Sequence, residues 1–362
     1  MTTTYTLECY SLTNTEDVKR YQEFLYHFNG FDVFYKVELI NTGIESNQEK
    51  KYFVLKDKDQ VIVLMPFIQR SITINNNMTP YFDVVSPYGY SGPLFTQKIN
   101  TDLLQNFWVL ADKWYRKNNV VAEFIRFNLD GNHINYSGHL LPTLSNVKGL
   151  ILKDKEQQWT SFIPKVRNNY RKGENNQLTA KIYKGNITLD IINTFHTIYI
   201  GTMDRNNADD SYYFSLEYFN EFILKNPTNC ALVLIYKENI AISTELILLN
   251  KNSMYSFLGG TIADYFSLRP NDFLKIEAMN WGRENNYEYY ILGGGRYDFD
   301  GLYKYKKTFF PKEKDAIYYT GRKIINNKAY LELCEKLSPV LKESNTKDYL
   351  KISEGFFPAY RQ

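Results

Sequence analysis

The sequence predicts a mixed α/β (α+β) protein of two domains, each a mixed sheet flanked by helices, and three observations carry that expectation. The 362 residues exceed what one hydrophobic core usually serves. Amphipathic helical spacing and short β-branched or aromatic runs alternate along the whole chain. Residues 230–293 read as three antiparallel strands, a helix and a further strand, with glycines ending both strands that flank the helix.

Composition narrows the class. Hydrophobic content of 44% and 23% charged residues suit a globular protein, while 31 Tyr and 24 Phe favour aromatic-lined sheets and clefts. A formal charge of +3 is too small by itself to argue for nucleic acid or an anionic membrane. Cys9, Cys230 and Cys334 are odd in number, far apart and without metal-ligand spacing, so a reducing compartment is expected and no metal site is. The first twenty residues have no basic region followed by an apolar run, and nothing reaches about 18 consecutive apolar residues. Cytoplasmic residence with no transmembrane segment follows as the expectation.

After a strand near Tyr5 to Cys9, Asn14 or Thr15 can cap a helix carrying Val18, Tyr21 and Leu25 on one face. Lys51–Lys56 and Val61–Ile68 form a hairpin around the charged turn KDKDQ. Asp83 to Phe95 contains two prolines and two glycines and reads as a shaped loop. Its Tyr88 and Tyr90 serve either a structural crossover or the lining of a substrate cleft. Thr101 or Asp102 opens a helix with Leu103, Phe107, Leu110, Ala111 and Trp114 on one face, followed by the strand Val120 to Phe127. The polar stretch 128–146 reads as loop; its His133 and His139 lack the spacing of metal ligands.

The second domain is expected at 151–345, after a first domain at 1–150, with a tail at 346–362. Pro164 suits the first turn of a helix and Gly173 its end, which places Arg167 and Arg171 four residues apart on one face. They form either a phosphate clamp or a solvated basic face. Ile187–Met203 reads as a helix whose end gathers Tyr199, Thr202, Arg205, Asp209, Tyr212 and Tyr213, a mixture costly to bury without a ligand or mutual hydrogen bonds. Leu216 to Ile223 is a further helix. The strands Cys230–Tyr236, Ile240–Leu249 and Ser253–Thr261 follow, the third reaching Gly259 and Gly260. Pro270 opens a helix with Leu274, Ala278 and Trp281 on one face, and a strand then runs from Tyr287 to Gly293, Gly294 and Gly295. Beyond Arg296 and the aspartates Asp298 and Asp300, Leu302 to Phe310 alternates aromatics with Lys304, Lys306 and Lys307. That alternation fits either an edge strand with solvated lysines or a segment offering one inward lysine to a carbonyl or phosphate. A last helix is expected over Lys328–Leu341.

The stretches SPYGYSGPL, KVRNNYRKG, Tyr199 to Phe214, Gly259–Thr261 with its helix, and GGGRYDFDGLYKYKKTFF resemble, in that order and spacing, the FemABX family of peptidoglycan bridge-forming aminoacyltransferases and its FemAB-like relatives of the GNAT (N-acetyltransferase) fold. The resemblance covers most of the chain. It implies two tandem GNAT-like domains without the long helical arm of some members, and an acyl donor reaching the second domain. It implies that Tyr305 and Lys306 lie at the reaction centre and that Arg205 contacts phosphate. No tightly bound cofactor is implied. The donor is aminoacyl-tRNA or acyl-CoA, and the acceptor an envelope precursor or nucleotide sugar, with peripheral membrane contact if that acceptor is lipid-linked. The segment YFSLRPNDF, where GNAT enzymes place a glycine-rich pyrophosphate turn, has no glycine and holds a proline without an N–H. This favours charged tRNA over coenzyme A.

Lys306 is therefore the expected stabiliser of an oxyanion, with Asp298, Asp300 and Asp209 as candidate bases. The competing reading is a non-catalytic module that holds RNA or a phosphorylated sugar in the same cleft. A serine or cysteine hydrolase is disfavoured, because no nucleophile elbow is present and the histidines have no evident partner.

Overall fold

The computed structural model describes residues 5–28, 31–41, 47–96, 101–337, 352 and 355–361. Two compact units emerge, Met1–Thr143 with Tyr318–Gln362, and Leu144–Ile317.

In the first unit, β1 (Tyr5–Ser11) leads to α1 (Thr15–Tyr26), which Asn14 caps by accepting from the N–H groups of Glu16 and Asp17. After the short α2 (Val37–Ile40), β2 (Gln48–Asp57), β3 (Gln60–Ile74) and β4 (Asn77–Val85) pair antiparallel in succession, and the two-residue β5 (Leu94–Phe95) adds to β3. Asn75 and Asn76 both take positive φ at the β3–β4 turn, a conformation asparagine tolerates. β4 absorbs Asp83–Val85, so the expected loop begins only at Ser86. α3 (Thr101–Lys117) then crosses over to β6 (Val120–Arg126), which pairs parallel with β4. Strand β2 shows why its apolar run is continuous. Phe53 and Leu55 face the α3 side while Tyr52 and Val54 face α1, so both surfaces are covered.

The second unit takes the latter part of β7 (His139–Leu150), a strand that replaces the end of the loop expected at 128–146. It continues through α4 (Lys155–Ser161), α5 (Pro164–Asn175), β8 (Leu178–Lys184), α6 (Leu189–Arg205) and α7 (Leu216–Leu224). The antiparallel meander follows as β9 (Cys230–Lys237), β10 (Ile240–Leu249) and β11 (Ser253–Thr261). α8 (Pro270–Glu284) crosses over to β12 (Tyr289–Gly293), parallel to β11 and antiparallel to the end of β7. Within this unit the strand order is β8-β9-β10-β11-β12-β7. The core gathers Val233, Ile235, Ile247, Leu274, Met279 and Tyr290 around a helix, α8, that is buried on nearly all sides. Gly173 lies inside α5 rather than at its end. A Cβ there would stand 2.8 Å from the Phe273 ring, so close helix packing explains the glycine.

Two corrections bear on the site. Leu302 to Phe310 is not an edge strand: α9 spans Gly301–Lys307, because Asp300 accepts from the N–H of Tyr303 at 2.8 Å and Tyr305 packs edge-on against Phe309 one turn later. The division at residue 150 and the assignment of everything to 345 to the second domain also change. β13 (Ala316–Ile324) pairs antiparallel with β6, and α10 (Asn327–Leu337) packs on the first unit's Val121 and Ala122, so the chain returns to the first unit at Tyr318. Expected helix residues 338–341 and most of the 346–362 tail lie outside the described residues.

Candidate active site

β11 and β12 hold parallel register for three pairs, Ser253 with Tyr289, Met254 with Tyr290 and Tyr255 with Ile291. β11 then continues past Ser256 to Thr261 without β12, paired only with β10, while β12 ends at Gly293 in a positive φ of 73°. The gap between them opens into a cavity of about 670 Å³ whose lining lies entirely in the second unit. Ser256 to Thr261 form one wall and Gly294, Gly295, Arg296 and Lys306 the opposite one. The end of α6 and the start of α8 complete it.

α9 positions Lys306. The Asp300 carboxylate that caps it also accepts from the N–H groups of Arg296 at 2.7 Å and Tyr297 at 3.3 Å, and these backbone donors hold its carboxyl below the ordinary value. A Cβ on Gly295 would collide with that carboxylate, and one on Gly294 would come within 3.1 Å of the Ser145 carbonyl. The triple glycine thus lets the loop fold tightly around Asp300. Lys306 Nζ donates to the Gly294 carbonyl at 2.6 Å. The side chain is open to the cavity yet deep among protein atoms, and burial pulls its ammonium down to about 8, helped by the nearby Lys275 charge and opposed by Glu245 and Asp300. Beside it, the Tyr305 hydroxyl accepts from Asn271 Nδ2 at 3.0 Å, and burial with Asp272 and Glu245 nearby holds it a neutral phenol.

On the cavity floor lies a cluster that the sequence reading did not single out. Lys275 Nζ donates to Glu245 Oε2 at 2.5 Å and Ser256 Oγ at 2.8 Å, and Tyr290 donates to Glu245 Oε1 at 2.5 Å. Its signal was present as a glutamate inside the apolar strand Ile240–Leu249 and a lysine between Leu274 and Ile276. Either charge demands a partner when buried.

α6 supplies the remaining wall. Tyr199 donates to the Tyr212 carbonyl at 2.6 Å, and Arg205 donates to the Thr261 carbonyl at 2.8 Å with its guanidinium over the Phe266 ring. Gly259 and Gly260 line the cavity, but their lack of Cβ serves packing. A Cβ on Gly260 would strike Thr202 Oγ1 and stand 2.7 Å from the Ile198 carbonyl of α6, and one on Gly259 would meet the Thr244 carbonyl at 2.5 Å.

Other expected residues lie elsewhere. Tyr88 and Tyr90 belong to the first unit, where Tyr90 packs edge-on against Phe34 and Tyr318. Arg167 and Arg171 do not form a clamp: Arg167 donates to the carbonyls of Thr160 and Phe162, and Arg171 to Asn168 while lying over Trp159. The candidate bases are also committed. Asp300 is the helix cap, Asp298 accepts from the Ser145 N–H at 2.8 Å, and Asp209 accepts from the N–H of Ser211 at 3.0 Å. His133 stacks on Tyr319 in the first unit, and among the described residues no cluster of His, Cys, Asp and Glu could hold a metal ion.

No protein family matches the sequence, and nothing matches it among curated proteins. Solved structures do. The crystal structure of FemX is similar with a TM-score of 0.64 at 13% identity, over 86% of this chain and 97% of that one. L-PGS from Bacillus licheniformis gives 0.55 at 13% identity over 84% and 91%. A tandem GNAT protein from the clavulanic acid biosynthesis pathway gives 0.52 at 7% identity over 88% and 98%. The chain therefore has the tandem GNAT-type α/β fold.

Proposed function

We propose that this chain is an acyltransferase of the FemAB-like type, working in the cavity of its second GNAT-like unit. The observation that supports it most is one coincidence: the half-buried Lys306 ammonium lines the cavity that opens where the parallel strands β11 and β12 part. In the reaction, an amine or hydroxyl of the acceptor attacks the carbonyl carbon of an activated ester. Lys306 meets the negative charge that develops on the carbonyl oxygen. Collapse expels the ester alcohol, which carries away the proton the acceptor loses. With a value near 8, Lys306 is mainly protonated at neutral pH, as that role requires.

The donor we favour is aminoacyl-tRNA rather than acyl-CoA. α8 opens with Pro270, which has no N–H, behind Arg269 in a left-handed conformation with φ 63°. A pyrophosphate would find fewer backbone donors there than at an ordinary helix start. Arg205, Arg269 and Arg296 around the cavity suit an anionic acceptor such as a nucleotide sugar or another phosphate-bearing envelope precursor. The resemblance to the peptidoglycan bridge-forming enzymes agrees with that class.

Mass spectrometry of products after incubation with charged tRNA or acyl-CoA and a pool of nucleotide-sugar and muropeptide acceptors tests the reading. An acyl group gained by one acceptor, in a Lys306-dependent manner, is the expected result. Tight, salt-sensitive tRNA binding without any product would replace it with the binding-module reading.

A further inference from the structure

Glu245 and Lys275 line the cavity floor while remaining only 3% and 5% exposed. A buried ion pair is a poor stability element, since well-packed apolar residues of similar volume generally serve as well or better. This pair is nonetheless fully built. Ser256, the first β11 residue beyond the parallel register, accepts from Lys275, and the Tyr290 phenol occupies the second Glu245 oxygen. Three strands and a helix thereby hold one positive and one negative charge at set places beside Lys306.

We propose that the Lys275–Glu245 pair is a positioning device of the active site, whose two fixed charges tune the protonation of Lys306 within its buried setting and so the pH range over which Lys306 can act as a cation. Other titratable and charged groups around the same cavity are Asp272, Arg269, Arg296, Tyr305, Arg205, Tyr199, Tyr212 and, at the cap of α9, Asp300. Among them Lys275 is the largest charge acting against the Lys306 ammonium and Glu245 the largest acting for it. The two therefore pull in opposite directions, and removing either one moves Lys306 in a direction set by that charge. The catalytic consequence rests on the acyltransferase reading; the titration does not.

Competitive acetylation with acetic anhydride, read at Lys306 by peptide mass spectrometry from neutral to strongly alkaline pH, follows the amine without any substrate. In Lys275→Met the midpoint is expected to rise by about one pH unit or more, the scale of a nearby unit charge, and Lys275→Arg should restore it. In Glu245→Gln it should fall. Equal midpoints in the wild type and both folded neutral variants, or movement of both in one direction, overturn the proposal. Should neither single variant fold, Lys275→Met/Glu245→Gln removes both charges with little change of volume. The midpoint should then lie above that of Lys275→Arg/Glu245→Gln, which keeps the cation alone, and equal midpoints in those two double variants overturn the proposal. Full turnover in Lys306→Ala would instead sink the acyltransferase role of Lys306 and leave the titration result standing.

Discussion

Among the described residues each unit contains a parallel strand pair joined by a crossover helix, β4 with β6 and β11 with β12, and the two pairs end differently. In the first unit the register runs from Phe82–Val120 to Val85–Phe124, and the chain after β4 stays on β6. Ser86 donates to the Phe124 carbonyl at 2.9 Å, the Ser86 hydroxyl accepts from the Arg126 N–H, and Ser91 bridges to Phe127. Asn132 seals this closure by donating to the carbonyls of Ser91 at 2.7 Å and Pro93 at 3.1 Å. In the second unit β11 and β12 part after three pairs and the space between them stays open. The charges differ in the same sense. The first unit's buried Lys323 meets two carboxylates, Asp112 at 2.7 Å and Glu123 at 3.2 Å, whereas the second unit's cavity is lined by Lys275, Lys306, Arg205, Arg269 and Arg296 against Glu245 and Asp272. A zipped gap whose lysine is fully met by carboxylates reads as structure, and an open gap with surplus positive charge reads as a site for an anion or a developing oxyanion.

Lys306→Ala should lower kcat by about a hundredfold to a thousandfold, roughly 3–4 kcal/mol of transition-state stabilisation, in the product assay. Next, Lys323→Met leaves the buried Glu123 and the half-buried Asp112 without their cation and should cost about 3–5 kcal/mol in denaturant unfolding. An equally large loss in Lys306→Met would show the two lysines to be alike.

Lys306→Met should instead stabilise. Its ammonium titrates lower in the fold, about 8, than the ordinary 10.5, so burying the charge opposes folding in full below about pH 8. Between those values the unfolded chain binds more protons, stability of the wild type rises with pH, and the opposition is gone above the higher one. The difference corresponds to about 3 kcal/mol, less about 1 kcal/mol for the lost bond to Gly294, so Lys306→Met should gain about 2 kcal/mol at neutral pH. Unfolding curves across alkaline pH should show the gain vanish. Smallest, Asp300→Ala removes the acceptor of three backbone N–H groups and should lower the denaturant midpoint slightly, with a larger relative loss of activity as α9 and Lys306 lose their anchor.

Much of the second unit was legible. The meander, the crossover helix and the glycine-ended strands follow from runs of β-branched residues between turn formers, and β9, β10 and β11 lie within a residue of expectation. Lys306, Tyr305, Arg205, Tyr199 and Arg296 do line one cavity. The α9 segment misled because Tyr303, Tyr305 and Phe309 also satisfy a strand period, and a single capping aspartate decided between the periods. Tyr88, Tyr90, Arg167 and Arg171 misled for another reason. Tyr90 packs on Tyr318, far away in the chain, and spacing carries no record of that contact, whereas Arg167 and Arg171 are taken up by near neighbours, the carbonyls of Thr160 and Phe162, Asn168 and the Trp159 ring.

By itself the sequence determined the fold class, the order of most elements and the segment that bears Lys306, because local periodicity and turn chemistry are written residue by residue. Tertiary structure alone decided that residues 318 onward rejoin the first unit, that Gly260 exists to admit Thr202, and that Glu245 and Lys275 meet on the floor beneath Lys306. These are long-range outcomes. A buried charge or a missing Cβ announces only that something must lie against it, and the folded chain decides what does.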